Sequence, residues 1–337
     1  LIHQQPLVSI IIVGYNSKND LGDCLQSVAK LKYRNFEVIF VDNSSSDDSV
    51  SFIKTLFPWI KIVACKENFG FCKACNIGVK HSAGDYFVFL NPDTRVDPYW
   101  LSGLLNVVLN NNKIGVCGST ILVWTGDKIQ SLGGKYSLET GYTIDYGFGL
   151  QYGSIDTIQS FSHCCGASLL VRRDLFEEVG GFDNTFFMYF DDVDLCWRIR
   201  LLGYEIRSSQ NSIIYHKISL SRAHSSNPRY LVERNSLRAM LKNYELKSLI
   251  KFGPIVICMR LCAFVLLAVR GNKKYAIAIL KSIYSLVKNF PFVWQQRVVI
   301  QKKRIVPDSI AFPSSALVNF SEILQIFKSD VIPNLEK

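Results

Sequence analysis

At 337 residues the chain has room for one large domain or two modest ones, and its 48% hydrophobic content can fill a sizeable core and still leave apolar surface. The net charge of +10 is uneven, because residues 241–304 carry thirteen Lys or Arg against one acid and leave the first 240 residues near neutral. A near-neutral body with a basic, apolar tail argues against a nucleic-acid partner, whose basic residues would sit on the folded domain, and for an anionic membrane surface.

Strand and helix patterns alternate from the start. Residues 8–13 are an apolar, β-branched run that reads as a strand; it is too short for a secretory leader and lacks a cleavage site. Residues 20–31 carry apolar side chains at helical spacing. Residues 36–41 read as a second strand ending in Asp42-Asn43, and 61–65 as a third. Residues 70–81 read as a helix, 86–90 as a fourth strand ending in Asn91-Pro92-Asp93, 98–110 as a helix and 114–117 as a strand. This rhythm predicts an α/β fold with a mostly parallel sheet and helices on both faces. Ligands of such sheets bind beyond the carboxyl ends of the strands, where Gly14-Tyr15-Asn16, Asp42-Asn43 and Asn91-Pro92-Asp93 all fall. Residues 120–161, rich in Gly, Tyr and Thr, predict loops and short strands beside that site, a place for acceptor contacts.

The body is expected to end near Tyr244, with 234–244 as a linking helix. Residues 252–269 are almost continuously apolar, interrupted by Gly253-Pro254 and Arg260. A charge near the middle of a membrane span is costly, so an in-plane segment is favoured over a spanning one. Lys274, Lys281 and Lys288 recur every seven residues beside Ile277, Leu280, Ile283, Tyr284 and Val287, the pattern of a helix lying in a membrane surface. Deleting the chain from Leu249 onward is expected to release a soluble, folded body. Ten cysteines in a chain of this length are not a disulfide framework, and Cys117, Cys258 and Cys262, in apolar runs, read as buried reduced thiols. Cys72-x-x-Cys75 has the spacing of half a zinc site, but no second pair matches it.

Two acidic groups carry the chemistry. Asp191, Asp192 and Asp194 stand between an aromatic stretch and a helical pattern marked by Leu195, Ile199 and Leu202, and Asn91-Pro92-Asp93 ends the fourth strand. One acidic corner can hold a metal ion and the other can supply a base. A helix cap needs one acid, and here there are three; Asp194 is the candidate cap. Arg198 on the same helix reads as a salt-bridge partner.

Five segments, VSIIIVGYN (8–16), FVDNSSSD (40–47), NFGFCKACNIG (68–78), YFVFLNPDTR (86–95) and 166–204, resemble in order and spacing the family 2 glycosyltransferases, especially a rhamnosyltransferase-like subgroup. The resemblance covers roughly residues 7–245. It implies a GT-A fold, a Rossmann-like sheet with helices on both faces. The expected organisation is a catalytic domain over 1–244, with a nucleotide-binding half to about 118 and an acceptor half after it. A basic, apolar, helical, membrane-associating region over 245–337 completes it. It also implies roles. Asp42 matches an aspartate that accepts the base N3–H, though an Asx turn explains the same residue. Tyr15, Asn16 and Asn43 match the loops around base and ribose; Asn68, Gly70 and Asn76 match a segment near nucleotide and sugar. Asn91 and Asp93 match the Asp-x-Asp metal motif with Asn in the first place, leaving Asp93 as the main ligand of Mg²⁺ or Mn²⁺ and His216 as a further one. Asp191-Asp192 matches a Glu-Asp pair whose second member is the general base. Arg234-Asn235 resembles a family element without an assigned role.

The activity so implied is inverting, metal-dependent transfer of a single sugar from a nucleoside diphosphate carrier. The best guess is rhamnose from dTDP-rhamnose, moved to a lipid-linked saccharide, such as a polyprenyl-diphosphate-linked one, or to a polysaccharide at the cytosolic membrane face. UDP-galactofuranose and UDP-N-acetylhexosamine remain open as donors. The competing readings are a non-catalytic nucleotide-sugar-binding scaffold, supported by Asn91 alone, and a nucleotidyltransferase, which would open with a Gly-rich loop bearing a basic residue.

Overall fold

A computed structural model describes residues 5–154, 160–217 and 227–319. β1 (Val8–Gly14), α1 (Lys18–Ala29), β2 (Phe36–Asp42), α2 (Ser49–Leu56), β3 (Lys61–Ala64), α3 (Gly70–Lys80) and β4 (Tyr86–Leu90) alternate as the apolar periodicity dictates. A short β5 (Thr94–Val96), α4 (Trp100–Leu109) and β6 (Ile114–Val123) follow. The stretch after β6 forms short strands, β7 (Ile129–Ser131), β8 (Gly134–Tyr136) and β9 (Thr143–Asp145). Then come β10 (Ser168–Arg172), α5 (Arg173–Glu178), α6 (Asp191–Leu201) and β11 (Glu205–His216).

Among the described residues one sheet runs β3-β2-β1-β4-β10-β6-β11-β5, with β7 beside β6 and a separate β8–β9 hairpin. β3, β2, β1 and β4 are parallel, so Gly14, Asp42 and Leu90 end on the same edge. β10 enters antiparallel between β4 and β6. Alternation along β1 splits the core. Ile10 and Ile12 face α1, α2 and α4, while Ile11 and Val13 face the layer holding α3 and α6.

Among the described residues four longer helices follow, α7 (Pro228–Asn243), α8 (Leu246–Val269), α9 (Lys273–Lys288) and α10 (Phe290–Lys303), and then a single turn of helix, Asp308–Ala311. α7 is no exposed linker; nearly all of 233–243 is buried. Its last carbonyls, which a helix cannot satisfy itself, are met by α10 and the segment after it. Arg297 Nη1 donates to Leu241 O (2.8 Å) and Tyr244 O (2.6 Å), Gln301 Nε2 to Lys242 O (2.9 Å), and Arg304 to Asn243 O.

α8 runs unbroken through Gly253-Pro254, and by length and composition it is apolar enough to cross a membrane, with mean hydropathy 2.4. Arg260 at its middle is fully buried against the body. Its Nε lies 3.0 Å from Glu233 Oε2, its Nη1 donates to Thr140 O, and its guanidinium stacks 3.9 Å from the Tyr142 ring centre. The outer face exposes Ile250, Leu261, Val265 and Val269.

Two expectations are corrected here. Cys258 and Cys262 are exposed on that outer face rather than buried, because the buried stripe of α8 is set by Gly253, Val256 and Arg260. The deletion from Leu249 would not leave an intact body, since it strips Glu233 of one of its two arginines and α7 of its caps. Residues 320–337 of the expected C-terminal region lie outside the described residues.

Candidate active site

A cleft of about 320 Å³ opens at the carboxyl edge of β1, β2 and β4. Of the residues singled out from the sequence, Tyr15, Asn43, Asn68, Gly70, Asn91, Asp93, Asp191, Asp192 and His216 line it. Asn16, Asp42 and Asn76 do not.

One wall of the cleft is built from amide side chains. Asn43 Oδ1 accepts the Phe69 N–H (2.9 Å), and its Nδ2 donates to Asn68 Oδ1 (2.8 Å) and Gly70 O (3.3 Å). Asn68 Oδ1 also takes the Gly70 N–H (2.9 Å). These bonds fold the chain into α3 with Gly70 at φ +78°, where a Cβ would stand 2.5 Å from the Phe187 ring and carbonyl. Gly70→Ala therefore meets both backbone strain and a clash. We expect a loss of roughly 1–3 kcal/mol in denaturant unfolding.

The three residues outside the cleft hold its loops. Asn16, at φ 52°, accepts the N–H groups of Ser46 (2.8 Å) and Asp47 (3.3 Å). Asp42 Oδ1 accepts the Ser45 N–H, three residues on, at 3.2 Å, a local side-chain-to-backbone bond that holds the turn after β2. Asn76 donates to Phe182 O (2.8 Å) and Asn184 Oδ1 (2.8 Å) and accepts from Phe182 N (3.0 Å), so its amide is committed to the protein rather than turned to the cleft.

Where β4 ends, Asn91 and Asp93 meet His216 from the end of β11. Pairing of β11 with β5 puts His216 opposite Thr94, beside Asp93. Its Nε2 lies 3.2 Å from Asp93 Oδ1 and 3.4 Å from Asn91 Nδ2, and Asp93 and His216 are both buried. On the other side of the ring, Nδ1 is 3.0 Å from Gln130 Oε1. A carboxamide oxygen only accepts, so the bond to Gln130 places the proton on Nδ1 and turns the Nε2 lone pair toward Asp93. Two electron-rich atoms at that distance call for a cation or a proton between them. A carboxylate, an imidazole nitrogen and an amide suit a divalent first-row ion. Two neighbouring ligands of such an ion stand about 3 Å apart when each bond is about 2.1 Å. The residues thus fit a metal ion. Among the described residues no third His, Cys, Asp or Glu joins them. Gln130 was missed from the sequence; it lies in the short strand β7, with no motif around it.

Across the cleft, α6 starts with the acid pair. Asp192 Oδ2 accepts the Gly166 N–H (2.8 Å) and Oδ1 the Val193 N–H (2.8 Å), which fixes the carboxylate. Asp191 is raised to about 8 from an ordinary value near 3.8, by burial first and then by the neighbouring Asp192 charge. A folded-state pKa above the unfolded one means that the folded protein binds more protons between these values. Stability is therefore lost as pH rises from about 4 to about 8. Asp191→Asn should raise the urea midpoint at pH 9 and leave it unchanged below pH 4.

Asp194 is not the helix cap. It is fully buried, with Oδ2 2.9 Å from Arg198 and Oδ1 3.1 Å from Lys242, and it accepts from Asn243 Nδ2 (2.9 Å). Arg198 is the salt-bridge partner expected of it. No side chain caps α6; its N-cap is Phe190 at φ 64°. Phe187 and Tyr189 also take positive φ, at 68° and 67°. Such backbone costs about 1–2 kcal/mol per non-glycine residue, so this strap between residues 186 and 190 must be held by its surroundings.

The sequence profile of "Glycosyl transferase family 2" matches residues 9–180, half of the chain. The chain belongs to this family. The matched span of this family 2 member holds Asp93 and the amide wall of Asn43, Asn68 and Gly70, while Asp191, Asp192 and His216 lie beyond it. The chain is similar to the O-antigen biosynthesis protein RfbC of Myxococcus xanthus, 28% identical over 65% of this chain and 18% of RfbC. The first curated relatives are matched over a quarter to three-fifths of their own length. Among solved structures it resembles GalNAc-T7 with UDP, GalNAc and Mn²⁺, with TM-score 0.60, 16% identity, and coverage of 73% of this chain and 49% of that one. It also resembles TarS 1–349 of S. aureus in complex with UDP-GlcNAc, with TM-score 0.58, 16% identity and 90% of both chains. The fold is GT-A.

Proposed function

We propose that this chain transfers a single sugar from a nucleoside diphosphate carrier to a saccharide acceptor. The observation that carries the reading is one cleft lined by the Asp93–His216 pair, the Asp191–Asp192 pair and the amide wall of Asn43, Asn68 and Gly70. Asp192, fixed by two backbone N–H groups, takes the acceptor hydroxyl proton. The acceptor oxygen bonds to the anomeric carbon as the bond to the diphosphate breaks, and the nucleoside diphosphate leaves. Attack opposite the leaving group inverts the anomeric configuration and needs one base rather than two carboxylates. When bound at Asp93 and His216, Mg²⁺ or Mn²⁺ supplies positive charge beside the departing diphosphate. GalNAc-T7 with UDP and Mn²⁺ supports that expectation through the shared fold. We keep residues 1–244 as the catalytic domain. For the donor we keep dTDP-rhamnose as first choice, on resemblance, with UDP-sugars next.

Thermal shift with UDP and dTDP, each with and without Mn²⁺, tests the site, since a ligand that binds the folded state raises Tm. We expect a metal-dependent rise in the wild type that Asp93→Ala removes. No shift with either diphosphate would end this assignment.

We further propose that the chain works peripherally on the cytosolic membrane face, near a polyprenyl-diphosphate-linked or polysaccharide acceptor. Arg260, tied to Glu233 at mid-α8, keeps that helix against the body, which disfavours a span and supports an in-plane helix. Exposed Val269, Tyr284 and Val287 lie near exposed Lys274, Lys281 and Lys288, a mixture suited to anionic lipid. The protein should co-sediment with vesicles containing phosphatidylglycerol, less so at high salt, and not with phosphatidylcholine alone. Full-length protein that is soluble without detergent and ignores anionic vesicles would refute this.

A further inference from the structure

The acid pair sits directly after the 186–190 strap, whose backbone satisfies itself in part, through the Met188 N–H donating to Phe186 O (2.9 Å). With Phe187, Tyr189 and Phe190 at positive φ, its carbonyls point in directions that neither a helix nor a strand would use. They are collected instead by one side chain. Asn235, fully buried in the middle of α7, has its Nδ2 within 3.1 Å of Phe186 O, 3.0 Å of Met188 O and 2.8 Å of Tyr189 O. Only the amide nitrogen can donate to three carbonyls, so the orientation of the group is settled. Its Oδ1 accepts from Arg234 Nε (2.9 Å), and Arg234 Nη2 donates to Thr185 O (3.1 Å) and Phe186 O (2.7 Å). Of the two remaining strap carbonyls, Phe187 O takes the Cys72 N–H at 3.2 Å from α3 and Phe190 O takes the Asp194 N–H at 3.0 Å in the first turn of α6. The strap then delivers Phe190 as the N-cap of α6, with Asp191 and Asp192 as its first two residues.

We propose that Asn235 is a positioning residue for the acid pair: by holding the strap carbonyls from behind, it fixes where Asp191 and Asp192 stand in the cleft. Asn235 itself does not line the cleft, so it acts through the strap. No other side chain substitutes readily. Asp would turn an oxygen toward three carbonyls, Gln is one methylene too long for the same seat, and a small side chain leaves buried acceptors unmet. Rotation of the strap about its left-handed residues would swing the first turn of α6, and a displacement near 1 Å at a reacting group costs about 100-fold in rate. This inference rests on the reading that Asp192 takes the acceptor proton.

The test compares wild type, Asn235→Asp, Asn235→Ser and Asp192→Asn. Three readouts are taken: release of diphosphate from dTDP-rhamnose and UDP-sugars, its pH profile, and backbone hydrogen exchange. We expect the Asn235 variants to lose about 100-fold in kcat with a small change in donor KM, and to shift the acid limb of the pH profile. Exchange should quicken at residues 186–192 and stay unchanged in β1 and β4. A purely structural role would lower Tm yet leave kcat per folded molecule, the pH profile and strap exchange at wild-type values, and that result overturns the inference. Asn235→Ser carries no added charge and serves if Asn235→Asp does not fold. If Asp192→Asn keeps wild-type turnover, the reading of the base falls. If Asp192→Asn is inactive while folded Asn235 variants match wild type, only the positioning role falls.

Discussion

Asp192→Asn is expected to reduce sugar transfer by about 10²–10⁴-fold while nucleoside diphosphate binding and Tm change little. The substitution keeps the shape of the side chain and one acceptor, so one of the two bonds to Gly166 N–H and Val193 N–H survives. What is lost is the ability to take a proton from the acceptor hydroxyl. The amide wall of Asn43, Asn68 and Gly70 is untouched, so the thermal shift with UDP or dTDP should persist. Turnover within a few-fold of wild type, in a variant that still binds diphosphate, would remove Asp192 from the mechanism and favour a binding scaffold.

The second large effect is on stability. Glu233 is fully buried and faces two arginines, with Oε1 2.7 Å from Arg229 and Oε2 3.0 Å from Arg260, and it accepts from Tyr142 Oη at 3.0 Å. Glu233→Ala leaves the buried Arg260 guanidinium without its counter-ion, which costs about 3–5 kcal/mol. In a chain of this size that corresponds to a Tm roughly 4–7 °C lower. Replacing both residues with Met should recover much of the loss, because a buried pair and an apolar pair of similar volume are close in free energy. A double-mutant cycle by thermal or urea unfolding measures this coupling, and additive single effects would mean that the two groups do not interact.

Much of the fold could be read from the sequence because its signals are local. The alternating apolar runs that became β1, β2 and β4, and the polar triplets at their ends, need only neighbours in the chain to be recognised. That Asp93 and His216 come together was expected through resemblance, and their meeting follows from β11 lying beside β5. What was not legible depends on partners far along the chain. Asp194 looked like a cap because nothing nearby reveals Lys242 or Asn243, whose positions close an ion network inside the body. Asn76 looked like a ligand contact, yet its amide is spent on Phe182, more than a hundred residues away. Arg260 looked like a defect in an apolar helix. Its partner Glu233 lies on the preceding helix, within α7, and no periodicity links them. The strap before Asp191 shows no glycine to mark its left-handed backbone, so only the structure reveals it.

The bond between Glu233 and Arg260 also bears on how the protein is made. A ribosome releases the sheet, the acid pair and α7 before α8 and α10 exist. Until Arg260 emerges, Glu233 is a carboxylate with no interior cation from α8 to meet it, and until Arg297 and Arg304 follow, the end of α7 stands open. The nascent body therefore still lacks part of its interior when His216, the last residue of the cleft, has been synthesised. Domains generally fold as units during synthesis, and partly folded ones expose apolar surface. Here that interval lasts through the greasiest part of the chain, whose arrival both completes the interior and presents the face suited to lipid. Synthesis close to a membrane would let these two events coincide, and a transcript truncated between α7 and α10 should yield aggregate rather than a smaller soluble enzyme.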